Sequence, residues 1–213
     1  MHIHSIISMP NLIIERMRMS STLIFDLGRT LVDFDHAGWG DMYLTHREPI
    51  LKLARACERG EISAEAFRAS MGKILPSPPA DFDTWWCSIF AAEPLVEASW
   101  LRTLSQRHRM GLLSNTDPIH FSYIRRQYEE LLAPFDFFIT SFATGAAKPA
   151  AAIYEAAERQ AECPPERILY FDDIPEFIAA ARERGWQAEL FQGQAAAEAA
   201  IARWEARTRA TVS

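Results

Sequence analysis

The spacing of apolar residues changes period along the chain, and each change marks an element. Thr22 to Phe25 form a short run rich in β-branched and aromatic residues, apolar on consecutive positions, as in a strand buried on both faces. Asp26 ends the run and Gly28 breaks the chain before apolar character returns. From Gly38 to Phe90 the spacing becomes helical with no convincing strand, which predicts an all-helical insertion. Within it, Gly60 suits the left-handed end of one helix, and Ser63 can cap the next with Glu65 in its first turn. Pro76, Pro78 and Pro79 form a rigid connector, after which DTWWCSIF resumes a helix.

Beyond Pro94 helix and strand alternate. WLRTLSQRH, IHFSYIRRQYEEL, PAAAIYEAAERQA, PEFIAAARERG and QAAAEAAIARWEAR carry helical spacing, while RMGLLS, DFFITSF, RILYF and AELFQ read as the strands between them. This alternation predicts an α/β fold, a doubly wound (Rossmann-like) parallel sheet with helices on both faces. The expected organisation is a discontinuous core of residues 20–35 and 95–207, interrupted by a helical cap at 36–94. Residues 1–19 read as an N-terminal extension: they lack a basic start and place Arg16 and Arg18 after the apolar stretch, unlike a secretory signal. Met17 and Met19 are alternative starts just ahead of the first strand.

Composition narrows the function classes. With 213 residues, 49% hydrophobic and 23% charged, one elaborated globular domain is expected rather than a disordered or membrane-spanning chain. A net charge of −6 leaves no basic footprint for nucleic acid or an anionic membrane surface, so any bound phosphate must be held locally. Cys57, Cys87 and Cys163 have neither disulfide-framework nor zinc-ligand spacing, which fits a reducing cytoplasm.

Ligands in doubly wound sheets sit beyond the carboxyl ends of the strands. Asp26 follows the first strand; Ser114, Asn115 and Thr116 follow MGLL; Ser141 follows DFFIT, with Gly145 and Lys148 a few residues on; Asp172 and Asp173 follow RILYF. Each group alone has an ordinary reading. Asp26 suits a turn, Asp172 and Asp173 suit a helix cap ahead of Pro175, and Lys148 suits a surface helix start. Lys148 is nevertheless one of only three lysines among 22 basic residues. Together the groups form a chemistry: carboxylates attract Mg²⁺, an ionised Asp can attack phosphorus, and lysine, hydroxyl and loop amides neutralise the transferring oxygens.

In this order, FDLGRTLVDFD, LLSNTD, SFATGAAKPAAAIY and LYFDDIPEFIAAARERG resemble the motifs of the haloacid dehalogenase superfamily of hydrolases. FDLG, GEIS, LSNT and KP with IY are most similar to the branch that includes α-D-glucose-1-phosphate phosphatases. The resemblance implies a nucleophile at Asp26, phosphate contacts from Ser114 and Asn115, and charge stabilisation by Lys148. It also implies Mg²⁺ held by Asp26, Asp173 and the Gly28 carbonyl, with Asp172 assisting, and a helical cap closing over the site. The phosphatases of the superfamily usually carry a second aspartate, serving as general acid and base, where this chain has Gly28. Arg29 reaches either the phosphate, the cap or an outward ion-pair partner, and Phe177, where an asparagine is often found, is expected to pack.

The expected function is a Mg²⁺-dependent phosphomonoesterase acting on a small organic or sugar phosphate through an aspartyl-phosphate. One alternative is a metal-independent 2-haloacid dehalogenase, which Asp172 and Asp173 speak against. Another is a non-catalytic phosphate-binding or interaction protein, which Gly28 favours. For the cap, His36, Trp39, His46, Arg47, Trp85 and Trp86 could line a substrate pocket, although Trp85 and Trp86 read more simply as one core and one interface tryptophan. His108 and His120 are expected to end one helix and start another.

Overall fold

The computed structural model describes residues 21–75 and 79–210; the extension at 1–19, Pro76 and Pro78 lie outside the described residues. Five strands form one parallel sheet: β1 (Thr22–Phe25), β4 (Arg109–Ser114), β5 (Phe137–Thr140), β6 (Ile168–Asp172) and β7 (Gln187–Leu190). Their spatial order is β5-β4-β1-β6-β7, so the chain winds outward from β1 first to one side and then to the other. The point of reversal lies beside β1, where a doubly wound sheet leaves a crevice.

Alternation along the strands feeds two packed layers. Leu23, Phe25, Leu112, Leu169 and Phe171 face one core with α4 (Ala98–Ser105), α5 (Pro118–Gln127) and α10 (Gln194–Ala210), which supply Leu101, Ile124 and Trp204. Ile24, Leu113, Ile139 and Tyr170 face the other, with Ile153 and Tyr154 of α8 (Ala151–Ala161) and Ile178 of α9 (Pro175–Glu183). A strand with both neighbours paired and both faces covered has no polar side, and so β1 reads as a continuous apolar run.

The inserted segment builds a third core. It comprises a 3-10 turn at His36–Trp39 and helices α1 (Gly40–Glu58), α2 (Ala64–Ile74) and α3 (Phe82–Cys87), packed around Trp39, Ile50, Phe67, Met71 and Trp86. Ser63 caps α2 by accepting from the Ala66 N–H at 3.2 Å, and Gly60 adopts φ +67° after α1, both as expected. Helix α1 bends at His46 (φ −119°, ψ 23°), because Pro49 lacks an N–H and its ring crowds the carbonyl four residues back.

The segment at 36–94 is not wholly helical. Phe90–Pro94 is a strand, β3, paired antiparallel with β2 (Val32–Phe34) into a two-stranded ribbon that joins core to cap. Its half-exposed residues carry little apolar alternation; tertiary closure of the insertion, rather than local pattern, makes it extended. Two further boundaries differ. IHFSYIRRQYEEL breaks at Tyr128 into α5 and α6 (Glu129–Leu132), and DFFITSF leaves the sheet after Thr140 to form a helical turn, α7 (Ser141–Thr144).

Candidate active site

Register brings the strand ends together. Phe25 pairs with Leu112 on one side and Phe171 on the other, and the Asp26 N–H continues the ladder by donating to the Phe171 carbonyl at 2.8 Å. Asp26 therefore emerges between Ser114 and Asp172, all three buried.

Lys148 closes the group from the loop after α7. Its three Nζ protons are shared among four acceptors: Asp26 Oδ1 and Asp172 Oδ2, each at 2.6 Å, the Leu113 carbonyl at 3.0 Å and the Tyr170 hydroxyl at 3.1 Å. The Tyr170 hydroxyl also donates to Asp172 Oδ2, while Asp172 Oδ1 accepts the Ile174 N–H at 2.8 Å. Phe177 packs as expected, its ring centroid 4.9 Å from Lys148 Nζ, so a cation–π contact backs the ammonium. Asn115 holds the loop: its Oδ1 accepts the Lys148 N–H at 2.8 Å and its Nδ2 donates to the Lys148 carbonyl at 3.1 Å. The Asn115 carboxamide thus holds the Lys148 backbone in place, and Asn115 also lines the cavity between core and cap.

The electrostatics are those of crowded carboxylates. Burial pushes the Asp26 carboxyl up to about 7; Lys148 pulls the other way and Asp172 adds to the rise. Burial also raises Asp173, again with Asp172 adding. Burial opposes the Lys148 charge, but Asp26 and Asp172 outweigh it and hold the ammonium above its ordinary value. One oxygen from each of Asp26, Asp172 and Asp173 lies within 4.8 Å of the others. Three carboxylates facing one ammonium leave excess negative charge on hard oxygen donors, the donor set that suits Mg²⁺. The Arg29 N–H donates to the Val32 carbonyl and the Val32 N–H to the Leu27 carbonyl, neither bond using the Gly28 carbonyl.

Gly28 has a local cause. A Cβ there would lie 2.8 Å from the Phe34 ring, which fills the space of a side chain at this position. Arg29 adopts φ 56° and lies exposed with its guanidinium 5.0 Å over the same ring, making no ion pair among the described residues.

Beside the cluster opens a cavity of about 250 Å³ between core and cap. Leu27, Gly28, Ser114, Asn115 and Thr116 form its core side; His36, Trp39, Arg55, Glu58 and Trp86 line the cap side, with His120 at the seam. Of the cap residues proposed from sequence, His36, Trp39 and Trp86 reach this cavity, whereas His46, Arg47 and Trp85 do not line it. Trp86 is buried and Trp85 half-buried, in line with one core and one interface tryptophan.

Arg55, Glu58, Asp117 and His120 escaped the sequence reading as site residues. Asp117 caps α5 through Oδ1, accepting the Ile119 and His120 N–H groups at 2.8 and 2.9 Å, while its Oδ2 accepts Trp86 Nε1 at 3.0 Å. His120 Nδ1 lies 2.9 Å from Asp117 Oδ2 and its Nε2 lies 3.0 Å from the Trp86 carbonyl. Two acceptors require two ring protons; accordingly Asp117 outweighs the effect of burial and holds His120 above its ordinary pKa. These bonds tie the cap, through Trp86, to the core. The only sequence signal for them was a helix-capping aspartate followed three residues later by histidine.

The sequence matches the haloacid dehalogenase-like hydrolase family over residues 21–185. It is 24% identical over 197 residues to a D-ribitol-5-phosphate phosphatase of Bacteroides thetaiotaomicron, an alignment covering 84% of this chain and 95% of that protein. The fold is similar to a haloacid dehalogenase family enzyme from the same organism crystallised with magnesium and inorganic phosphate (TM-score 0.70, 22% identity, 80% of this chain and 93% of that one). It is also similar to an L-2-haloacid dehalogenase of Xanthobacter autotrophicus (TM-score 0.54, 18% identity, 79% of this chain and 76% of that one). No helix among the described residues is long and apolar enough to cross a membrane. With the family matched across most of its length, this chain belongs to the haloacid dehalogenase-like hydrolases.

Proposed function

We propose that the protein is a Mg²⁺-dependent phosphomonoesterase of small organic phosphates, sugar or polyol phosphates among them, working through an aspartyl-phosphate on Asp26. The observation that carries this reading is the convergence of Asp26, Asp172, Asp173 and Lys148 at one strand edge, beside a cavity of about 250 Å³ lined by the neighbouring Leu27, Gly28 and Ser114. That volume lies below the range of drug-sized ligand sites and suits a small leaving group. The relative named as a D-ribitol-5-phosphate phosphatase and the magnesium and phosphate bound to the structural relative support the same chemistry.

Asp26 would attack phosphorus through a carboxylate whose Oδ1 is already oriented by Lys148, so the nucleophile is positioned before substrate arrives. Lys148 and the loop following Ser114 would carry charge on the transferring oxygens, and the cap would exclude water from the first displacement. Asp26, Asp172 and Asp173 would hold Mg²⁺, which when bound neutralises phosphate charge and keeps the carboxylates ionised. Arg29, exposed and stacked over Phe34, would meet an anionic substrate on entry.

The fold alone does not separate this activity from dehalogenation, since both a family enzyme crystallised with magnesium and inorganic phosphate and an L-2-haloacid dehalogenase are structurally similar. The carboxylate trio favours the phosphatase, because a dehalogenase needs no metal. Phosphate release from a panel of small phosphomonoesters, with Mg²⁺ and with EDTA, tests the proposal. Metal-dependent turnover is expected. Halide release from 2-haloacids in EDTA, with no phosphatase activity, would overturn it.

A further inference from the structure

An alkoxide is a poor leaving group unless a proton reaches it as the P–O bond breaks. No side chain on the core side of the cavity is placed to supply one. Leu27 and Gly28 have no proton to give, the Ser114 and Thr116 hydroxyls are alcohols no more acidic than the leaving group, the Asn115 amide holds the Lys148 backbone, and Lys148 and Asp172 are paired with each other. The donor must come from the cap side.

Arginine keeps its proton throughout the physiological range, which sets Arg55 aside and leaves three groups, two imidazoles and a carboxyl, to compete. His120 has both ring nitrogens engaged, by Asp117 and by the Trp86 carbonyl. His36 stacks on Trp39, and burial with the nearby Arg29 charge lowers its pKa, which disfavours the imidazolium form. Glu58 remains. Its carboxyl makes no hydrogen bond or ion pair among the described residues, yet it lines the same cavity as Gly28 and Ser114. Its position is fixed by the chain: Gly60, two residues on, comes so close to the core that a Cβ there would lie 2.5 Å from the Phe142 carbonyl oxygen. The last turn of α1 is thereby pinned onto the core beside α7, with Glu58 at the seam.

Resting on the phosphatase reading, we propose that Glu58 is the proton donor to the leaving group and, once ionised, the base for the attacking water. In the first step the Asp26 carboxylate oxygen bonds to phosphorus, the P–O bond to the ester oxygen breaks, and that oxygen takes the Glu58 proton to leave as the alcohol. In the second, water attacks phosphorus, Glu58 takes a water proton, and the bond from phosphorus to Asp26 breaks, releasing phosphate and restoring both carboxyls. The electrostatics accord with the donor role. Burial pushes Glu58 up to about 7 and Asp117 adds to the rise, while His120, Arg55 and Arg59 oppose it.

The test is kcat/KM, which isolates the first transfer, for wild type and Glu58→Gln on phenyl phosphates of graded leaving-group acidity plus a simple alkyl phosphate. None of these carries a hydroxyl on its leaving group that Glu58 could bind. The variant is expected to lose about 10²- to 10⁴-fold on the alkyl ester but no more than about threefold on p-nitrophenyl phosphate, whose leaving group needs no proton. Glu58→Asp, which keeps a proton-bearing carboxyl, should recover part of the alkyl activity. An equal loss across the series would make Glu58 structural and overturn the assignment, as would a leaving-group-dependent loss seen in His36→Gln instead. A wild-type enzyme that turns over none of these esters in Mg²⁺ overturns the phosphatase reading itself.

Discussion

Replacing Lys148 by methionine removes a buried charge at nearly constant volume, and the structure indicates how large the effect should be. Lys148 is 5% exposed and bridges Asp26 and Asp172 at 2.6 Å each, so the variant leaves two carboxylates facing each other without a counter-ion. Breaking a buried ion pair from one side costs about 3–5 kcal/mol. Proton uptake by a carboxyl relieves part of this, which places the expected loss near 3 kcal/mol. For a chain of this size that corresponds to roughly 6–12 °C in melting midpoint. The pH dependence has a definite sign. The folded pKa of Asp26 stands above the ordinary carboxylate value, so the stability linked to its protonation is fully present in acid and lost as pH rises to about 7. Without Lys148 that window extends upward, so the gap between variant and wild type should widen above pH 7, by about 1.4 kcal/mol per unit at most. Thermal unfolding in EDTA at pH 6, 7 and 8.5 reads both the loss and its trend. Added Mg²⁺ should raise the midpoint more in the variant than in wild type, because the metal supplies the missing positive charge. Equal midpoints, or a gap that narrows with pH, would refute the reasoning.

Four other outcomes are expected. Calorimetric Mg²⁺ affinity should tighten as pH rises towards about 7 and level off above it, since the metal must expel the Asp26 proton; a flat profile from pH 6 to 8 would argue against Asp26 as a ligand. Asn115→Ala removes both hydrogen bonds to the Lys148 backbone, and kcat should fall by roughly tenfold or more, because two such bonds contribute about 1–3 kcal/mol to placing the lysine; an unchanged kcat would make the clamp irrelevant to chemistry. Trp86→Phe deletes the donor to Asp117 and should cost about 1.5–3 kcal/mol in denaturant unfolding, whereas a neutral effect would show that this bond does not tie cap to core. Gly28→Asp forces its Cβ onto Phe34 and should destabilise by about 1–3 kcal/mol, with Phe34→Ala relieving the loss when the two are combined.

The legible parts of this protein are those written in local pattern. β4 runs Arg109–Ser114 as the sequence suggests, because a buried parallel strand needs an unbroken apolar run, and the strand-end rule then placed Asp26, Ser114 and Asp172 on one edge. The β2–β3 ribbon was illegible, since Phe90–Pro94 is extended only through pairing with residues far away in the chain. Asn115 stands at the expected strand end, but its clamp on the Lys148 backbone was not legible, because that contact arises only through the way the loop after α7 returns to β4. Glu58 carried no signal, because a glutamate in the last turn of an amphipathic helix usually meets solvent. It is half-buried beside Gly60, which packs on the Phe142 carbonyl, a contact between distant segments. The pairing of Asp117 and His120 with Trp86 likewise joins residues about 30 positions apart.

The central claim is that Asp26 carries the phosphoryl group. A rapid-quench experiment at saturating phosphomonoester with Mg²⁺, followed by borohydride reduction and peptide mass spectrometry, tests it most directly, since reduction turns an acyl phosphate into homoserine at the residue that bore it. Homoserine at position 26, formed within the first turnover and absent without Mg²⁺ or in Asp26→Asn, is the expected result. Turnover that continues in Asp26→Asn, with position 26 unmodified in wild type, would contradict it.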